Sequence, residues 1–312
     1  MDEFALINRF FRTAANAAGP GVKLGPGDDA AILSPTPGCE LVMSMDTLIA
    51  DRHFPADLPA ADVGWRSLAV NLSDLAAMGA RPRWALLSLS LPQADADWVA
   101  EFARGFGELA SSSGCVLVGG DTVRGPLAIT VQVTGEVPTG EALLRSGASV
   151  GEQVCIGGVP GEAAAGLAAW QHGARSGALV DRLARPAPQL ALGERLCGVA
   201  SACIDVSDGL LADLGHLVTE SGVAGATVHL PALPVSAALA AAGDEAARRA
   251  WQLSGGDDYL LLFAWPAGRP LPDGCHAIGH FTADTGVRVL DAEGQPVEVA
   301  RSGWNHFAGG GQ

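Results

Sequence analysis

The run Asn71-Leu72-Ser73-Asp74-Leu75-Ala76-Ala77-Met78-Gly79-Ala80 organises the reading of this chain. It closes a longer periodic segment, 62–79, in which Trp65, Leu68, Ala69, Leu72, Leu75 and Ala76 share one helical face. Asn71, Asp74 and Met78 recur at i, i+3, i+7 on another side. A carboxylate therefore rides on a helix, off its apolar stripe.

Outward from this helix, helical and extended periods alternate. Toward the N-terminus, Phe4, Ile7, Phe10 and Phe11 predict an amphipathic helix over 3–18. A Gly/Pro-rich loop, 19–27, then ends at Asp28-Asp29, a short strand follows over 30–33, and an apolar strand over 41–45 runs into Asp46. Toward the C-terminus come a strand at 84–91, a helix at 95–113, a strand at 116–119 ending at Gly120-Asp121, and a strand at 127–137. The turn-rich segment 138–151 is the natural domain boundary. It divides the chain into 1–140 and 141–312. The second half repeats the rhythm: strands at 154–156, 203–205, 226–230 and 259–263, and helices at 162–172, 208–221 and 236–251, with another introduced by Pro186 and Pro188. The pattern is mixed α/β.

Composition narrows the function. The 312 residues include 48% hydrophobic and 17% charged side chains, which is ample material for buried cores. A formal net charge of −15 repels phosphodiester backbones, so nucleic acid is not an expected partner. Lys23 is the only lysine, and Leu24 follows it, so neither a Walker-type loop nor a protein-kinase lysine is present. A nucleotide would have to be held by other means. Six cysteines without a C-x-x-C pair read as small apolar residues of a reducing compartment. The N-terminus is acidic, and no apolar run reaches the ~18 residues of a spanning helix, so a cytoplasmic protein without a membrane partner is expected.

The chemistry lies in the aspartates. Asp28, Asp46, Asp121 and Asp205 each fall at the end of an expected strand or a glycine-rich turn beside one, Asp208 opens an expected helix, and Asp257-Asp258 follow Gly255-Gly256. Carboxylates at element ends, beside glycines that permit close backbone approach, suit hard divalent cations. Singly, each has a plain structural explanation. Asp208 can favour a helix dipole behind a Ser207 cap. Asp28-Asp29 can be turn chemistry. Asp74 can be a solvated helix residue. The argument comes from the ensemble.

Ordered along the chain, six segments resemble the bacterial thiamine-monophosphate kinase family: Gly27-Asp28-Asp29-Ala30-Ala31, Ser44-Met45-Asp46-Thr47, Asn71 to Ala80, Gly119-Gly120-Asp121-Thr122, Asp205-Val206-Ser207-Asp208-Gly209-Leu210 and Gly255-Gly256-Asp257-Asp258-Tyr259. The resemblance spans nearly the whole chain, to Gly303-Trp304-Asn305-His306-Phe307. It implies a two-domain fold shared with aminoimidazole-ribonucleotide synthetase, with mixed sheets flanked by helices. It implies direct transfer of the ATP γ-phosphoryl group to thiamine monophosphate, giving thiamine diphosphate. It also implies several Mg²⁺ ions, ATP as co-substrate, and a homodimer formed by the N-terminal ATP- and metal-binding domain, with the C-terminal domain completing the substrate site.

Carried over position by position, Asp28, Asp46, Asp74, Asp121, Asp205 and Asp208 match metal ligands. Ser44 and Met45 match positions whose oxygens touch metal, although Met45 replaces the usual hydroxyl residue and leaves only its carbonyl. Gly120, Asp121, Arg145 and Ser207 match nucleotide contacts. His53, Asp257 and Trp304 match the thiamine-phosphate side, with Asp257 one methylene shorter than the family's usual Glu. No catalytic group is implied beyond the metal ligands. Without the resemblance, His53 reads as a loop histidine, Trp304 as a docked tail aromatic and Arg145 as a surface ion pair. Two alternatives stand beside this function. One is a sibling ATP-dependent synthetase of the same superfamily; the other is a non-catalytic metal or nucleotide sensor. A selenophosphate synthetase would carry a reactive Cys before Cys39, and the hydrogenase-maturation relative would end in a cysteine tail, where this chain has Gly309-Gly310-Gly311-Gln312.

Overall fold

The computed structural model describes residues 7–11, 19–299 and 303. The chain divides into two compact units, Met1–Ala142 and Leu143–Gln312.

The first unit is built on β3 (Cys39–Ile49), β4 (Arg81–Leu91), β5 (Val116–Arg124) and β6 (Ala128–Pro138), after a small antiparallel pair, β1 (Val22–Leu24) and β2 (Ile32–Leu33). The four strands lie in the order β3-β6-β4-β5, antiparallel except for β4–β5. That parallel pair is joined by α2 (Ala96–Ser113), as a parallel connection requires a crossover. Asp95 caps α2 by accepting from Asp97 N and Trp98 N. The helix carrying the opening motif, α1 (Ala60–Ala77), is wedged between α2 and strands β3 and β6. This explains why nearly every α1 side chain is buried, including Asn71 and Ser73 at 0% exposure. At the α1–α2 crossing there is no room for side chains: a Cβ on Gly105 would lie 1.8 Å from the Ala61 carbonyl oxygen. The opposite face of the sheet has no helix among the described residues, and Leu41, Met43, Met45, Leu86 and Val123 stand exposed along its strands.

The second unit contains β7 (Gln153–Ile156), α3 (Glu162–Gln171), α4 (Ala178–Ala184), α5 (Leu190–Leu196), β8 (Ala202–Asp205), α6 (Leu210–Ser221), β9 (Gly225–His229), α7 (Ala237–Ala242), α8 (Glu245–Ser254), β10 (Leu261–Trp265), β11 (His276–Thr282) and β12 (Gly286–Leu290). Its sheet runs β12-β9-β11-β7-β10-β8, antiparallel except for β12–β9. Leu210, Leu214 and Leu217 of α6 pack with Val154, Ile204, Leu262, Ile278 and Phe281 in one core. No described helix is long and apolar enough to cross a membrane.

Several local expectations change. Asp46 does not follow a strand but lies within β3, because β6 pairs along the whole of it, from Cys39↔Pro138 to Ile49↔Ala128. Gly120 and Asp121 likewise lie inside β5 rather than in a turn, held by register with Leu87 and Ser88. Helix α6 starts at Leu210 with Gly209 as its N-cap, so Asp208 precedes it and Ser207 is not the cap. The helix expected over 236–251 breaks at Gly243, where Asp244 starts α8 by accepting from Ala247 N. The strand expected at 259–263 begins at Leu261. Strand β1 lies within the expected Gly/Pro-rich loop, and helix α4 and strands β11 and β12 have no counterpart in the sequence pattern. Of the helix expected over 3–18, only a π turn, Ile7–Phe11, falls among the described residues.

Candidate functional site

Alternation along β3 directs Ser44 and Asp46 toward α1 and Met45 away from it. The Ser44 hydroxyl donates to Asp74 Oδ2 at 2.5 Å. Asp46 N donates to Asn71 Oδ1 at 2.9 Å, and Asn71 Nδ2 donates to the Ser67 carbonyl at 3.0 Å. Fully buried Asn71 is thus the strut that ties the edge strand to α1 and sets Asp46 beside Asp74. Asp74, read in isolation as a solvated helix residue, is half-buried and engaged. Asp46 keeps an exposed surface, yet desolvation of its carboxyl, followed by the charge of Asp74, pushes its pKa up to about 6.

Two crowded carboxylates and a hydroxyl form an oxygen-only donor set, and a divalent cation between them would relieve both the desolvation and the smaller repulsion that raise the Asp46 pKa. The fit is to a hard cation such as Mg²⁺. It is confined to Ser44, Asp46 and Asp74: among the described residues no group of three or more His, Cys, Asp or Glu is placed to hold a metal. Asp28 sits on an exposed turn, its Oδ1 accepting from Asp29 N. Asp121 lies on β5, the edge strand opposite β3, three strand spacings or roughly 14 Å across the sheet. Met45 is 64% exposed on the other face of β3.

A pH prediction arises here. A carboxyl whose folded pKa is raised binds more protons folded than unfolded, so stability falls as pH rises from about 4 to about 6. In Mg²⁺-free buffer the melting temperature should decline across that window, and Asp46→Asn should flatten the decline. An unchanged slope in Asp46→Asn would remove Asp46 as its source.

His53 lies in the turn after β3. Its Nδ1 accepts from Ile49 N at 3.0 Å, which leaves the proton on Nε2, and its carbonyl accepts from Nη2 of Arg66, a side chain 1% exposed. It is a loop histidine with a fixed tautomer and orientation. Gly120, at φ +152°, brings β5 so close to β4 that a Cβ would lie 1.8 Å from the Leu87 carbonyl oxygen.

In the second unit, Asp205 ends β8 at 4% exposure. The following turn is held from two sides. Asp257 N donates to the Ser207 carbonyl at 2.9 Å and Tyr259 N to the Val206 carbonyl at 2.8 Å. From the other side, Oδ2 of Asp213 accepts from the N–H groups of Ser207, Asp208 and Gly209. Asp257 and Tyr259 adopt φ +69° and +51°, conformations that cost about 1–3 kcal/mol each and persist where the surroundings impose them. The Tyr259 hydroxyl donates to Asp257 Oδ1 at 3.1 Å. Asp258 accepts from Gly161 N and Ala163 N at the start of α3; burial pushes its pKa up to about 7 against those two donors. Arg145 is exposed, in a loop whose carbonyl accepts from Ser221 Oγ. Trp304 lies outside the described residues. Its neighbour Gly303 abuts the Asp208 carbonyl and Ala212, where a Cβ would come within 2.7 and 2.5 Å.

Two supports escaped sequence reasoning, Asp213 and Arg66. The signal for Asp213 was present: it falls among Leu210, Leu214 and Leu217, a carboxylate on an apolar stripe.

Residues 27–137 match the family model described as AIR synthase related protein, N-terminal domain. A thiamine-monophosphate kinase of Salmonella typhimurium is 41% identical over an alignment 323 positions long, covering 98% of both chains. Among solved structures, a thiamine-monophosphate kinase from Stenotrophomonas maltophilia superposes with a TM-score of 0.86 at 43% identity, covering 95% of this chain and 98% of that one. A structure described as AaThiL complexed with AMPPCP and TMP superposes with a TM-score of 0.80 at 29% identity, covering 97% and 96%.

Proposed function

This chain belongs to the thiamine-monophosphate kinase family, and on that premise we propose how its residues divide the work. The enzyme transfers the γ-phosphoryl group of ATP to thiamine monophosphate, giving thiamine diphosphate and ADP. The observation that carries the site reading is the Ser44–Asp46–Asp74 oxygen set held by Asn71.

The acceptor is a phosphate monoester whose second pKa is about 6, so it is largely ionised at neutral pH and needs no strong base. The difficulty is the approach of two anions. Mg²⁺, when bound, supplies the positive charge that neutralises phosphate oxygens in a chain with a single lysine. In the first unit, Asp46 and Asp74 with Ser44 would hold one cation, and Asp28 and Asp121, which lie apart from that cluster, would serve further ions. Asp46 N–H points off the sheet edge to Asn71, so the carbonyl of Met45 faces β6 in the ladder, and Met45 offers the cation no side-chain oxygen. In the second unit, Asp205 and Asp208 are the corresponding carboxylates. ATP is met by the Gly120-Asp121 backbone bend, by the Arg145 guanidinium and by Ser207. Because the Ser207 N–H is taken by Asp213, its hydroxyl is the group left to contact nucleotide. Thiamine monophosphate is met by His53 through Nε2–H, by Asp257 and by Trp304. The shorter Asp257 is compensated by the Tyr259 hydroxyl, which fixes its carboxylate. Catalysis is then positioning and electrostatics.

The open apolar face of the first unit's sheet is read as the homodimer surface, since exposed apolar residues such as Met43 at 65% and Met45 at 64% call for cover. A Met43→Glu, Met45→Glu double variant should sediment as a monomer where the parent is a dimer; a dimer in both would place the interface elsewhere. The cytoplasm is the compartment that suits six free thiols, of which Cys115 and Cys155 have pKa values pushed up to about 12 by burial. The reaction is tested by whether ADP release from Mg·ATP requires thiamine monophosphate. ADP release independent of it would contradict the kinase reading, and ATP binding with no turnover at all would favour a sensor.

A further inference from the structure

Asp213 is 2% exposed and sits one turn into α6, on the same face as Leu210, Leu214 and Leu217, each 0% exposed. Burying a carboxylate there is costly unless its partners compensate. Three donors oppose that cost at one oxygen, while burial and the charge of Asp208 still push the pKa up to about 7: Oδ2 accepts from Ser207 N at 3.0 Å, Asp208 N at 3.1 Å and Gly209 N at 3.1 Å. Three convergent backbone N–H groups ahead of a helix make a concavity that attracts an anion. The anion here is the protein's own, reaching back from the helix as the third residue of a capping box does.

The carbonyl side of the same turn is clasped by the segment 255–259, through Asp257 N to Ser207 O and Tyr259 N to Val206 O. Gly256 is pressed against that carbonyl so closely that a Cβ would lie 2.4 Å from it. With carbonyls bound on one side and N–H groups on the other, the backbone of 206–209 has little freedom. What remains presentable is the Ser207 hydroxyl and the Asp208 carboxylate.

We propose that Asp213 is a positioning residue for phosphoryl transfer, whose buried carboxylate fixes the 207–209 turn so that Ser207 and Asp208 meet the nucleotide and its cation. This rests on the reading of Ser207 and Asp208 given above. The clasp is a matter of geometry: one oxygen, aimed back from α6, accepts from three successive backbone N–H groups. A neutral amide keeps one oxygen in place but weakens all three contacts, while alanine removes them.

The test is steady-state kinetics of wild type, Asp213→Asn and Asp213→Ala, varying ATP, Mg²⁺ and thiamine monophosphate separately, with active-site concentration determined for each. Asp213→Asn should raise the ATP KM and the Mg²⁺ half-saturation point and cost ~10-fold in kcat/KM for ATP, with Asp213→Ala nearer ~100-fold. The KM for thiamine monophosphate should stay within about twofold, because the 255–259 segment keeps its own contacts. If Asp213→Ala does not fold, Asp213→Asn decides alone. Wild-type ATP and Mg²⁺ dependence in Asp213→Asn, or a loss of kcat that only tracks the fraction of active enzyme, would overturn the proposal. Wild type that binds ATP but makes no thiamine diphosphate would fail the functional reading instead, a distinguishable result.

Discussion

Asp46→Asn and Asp74→Asn should each lower kcat/KM by ~10²–10³-fold, the range for removing one preorganised electrostatic contact, while leaving the fold intact. Asparagine matches aspartate in shape, so Asn71 can still bind the backbone of residue 46 and Ser44 can still donate to an oxygen at residue 74. What is lost is charge. In Mg²⁺-free buffer above pH 6 both variants should melt at or above the wild-type temperature, because one of two repelling carboxylates is gone. A residue that matters only for folding would show the opposite pairing, with lower stability and proportionate loss of activity. The double variant should be little worse than either single one, since the proposed ligands of one cation would act as a unit. Turnover near wild type in both single variants would remove this cluster from the reaction.

Gly120→Ala should be nearly as damaging by a different route. The new Cβ would sit 1.8 Å from the Leu87 carbonyl oxygen, at φ +152°, a backbone conformation closed to L side chains. The obstacle is backbone, so no rotamer change relieves it, and β4 and β5 must part over the stretch where Leu87 pairs with Gly120 and Ser88 with Asp121. A loss of about 3 kcal/mol is expected, read by thermal or urea denaturation. Because Asp121 follows directly, activity per folded molecule should fall as well. Wild-type stability in this variant would show that the strands tolerate separation and that the bend is not imposed by packing.

The sequence discloses what is periodic. The 62–79 helix is read correctly to within two residues, because its apolar positions recur at helical spacing throughout. The mixed α/β architecture follows from alternation of such segments. Strand extents are less legible. Nothing around Met45-Asp46-Thr47 announces that β3 continues to Ile49; that follows from β6 lying alongside and from Asn71 receiving the Asp46 N–H. Gly120-Asp121 reads locally as a turn, and only contact with β4 makes it strand. Helix α6 begins two residues late because Gly209, at φ +124°, interrupts it and Asp213 collects the N–H groups ahead of it. Among the candidate residues, spacing shows only that Asp74 lies off the apolar stripe of its helix; its meeting with Asp46 is seen in the structure. The roles proposed for Asp28, Asp121, Asp205 and Asp208 come from resemblance, since a carboxylate on a turn or strand end looks alike whether it binds a cation or closes a loop. Asp213 acts on the backbone of the 207–209 motif and is hinted at only by a carboxylate on the apolar stripe of α6, whereas Arg66, on the His53 carbonyl, is revealed by three-dimensional contact alone.

The most direct measurement is chromatographic detection of product from the purified protein with Mg·ATP, given thiamine monophosphate in one reaction and thiamine in another. Thiamine diphosphate formed from the monophosphate, with equimolar ADP, and no phosphorylated product from thiamine is the predicted result. Phosphorylation of thiamine, or no thiamine diphosphate from the monophosphate while ATP still binds, would contradict it.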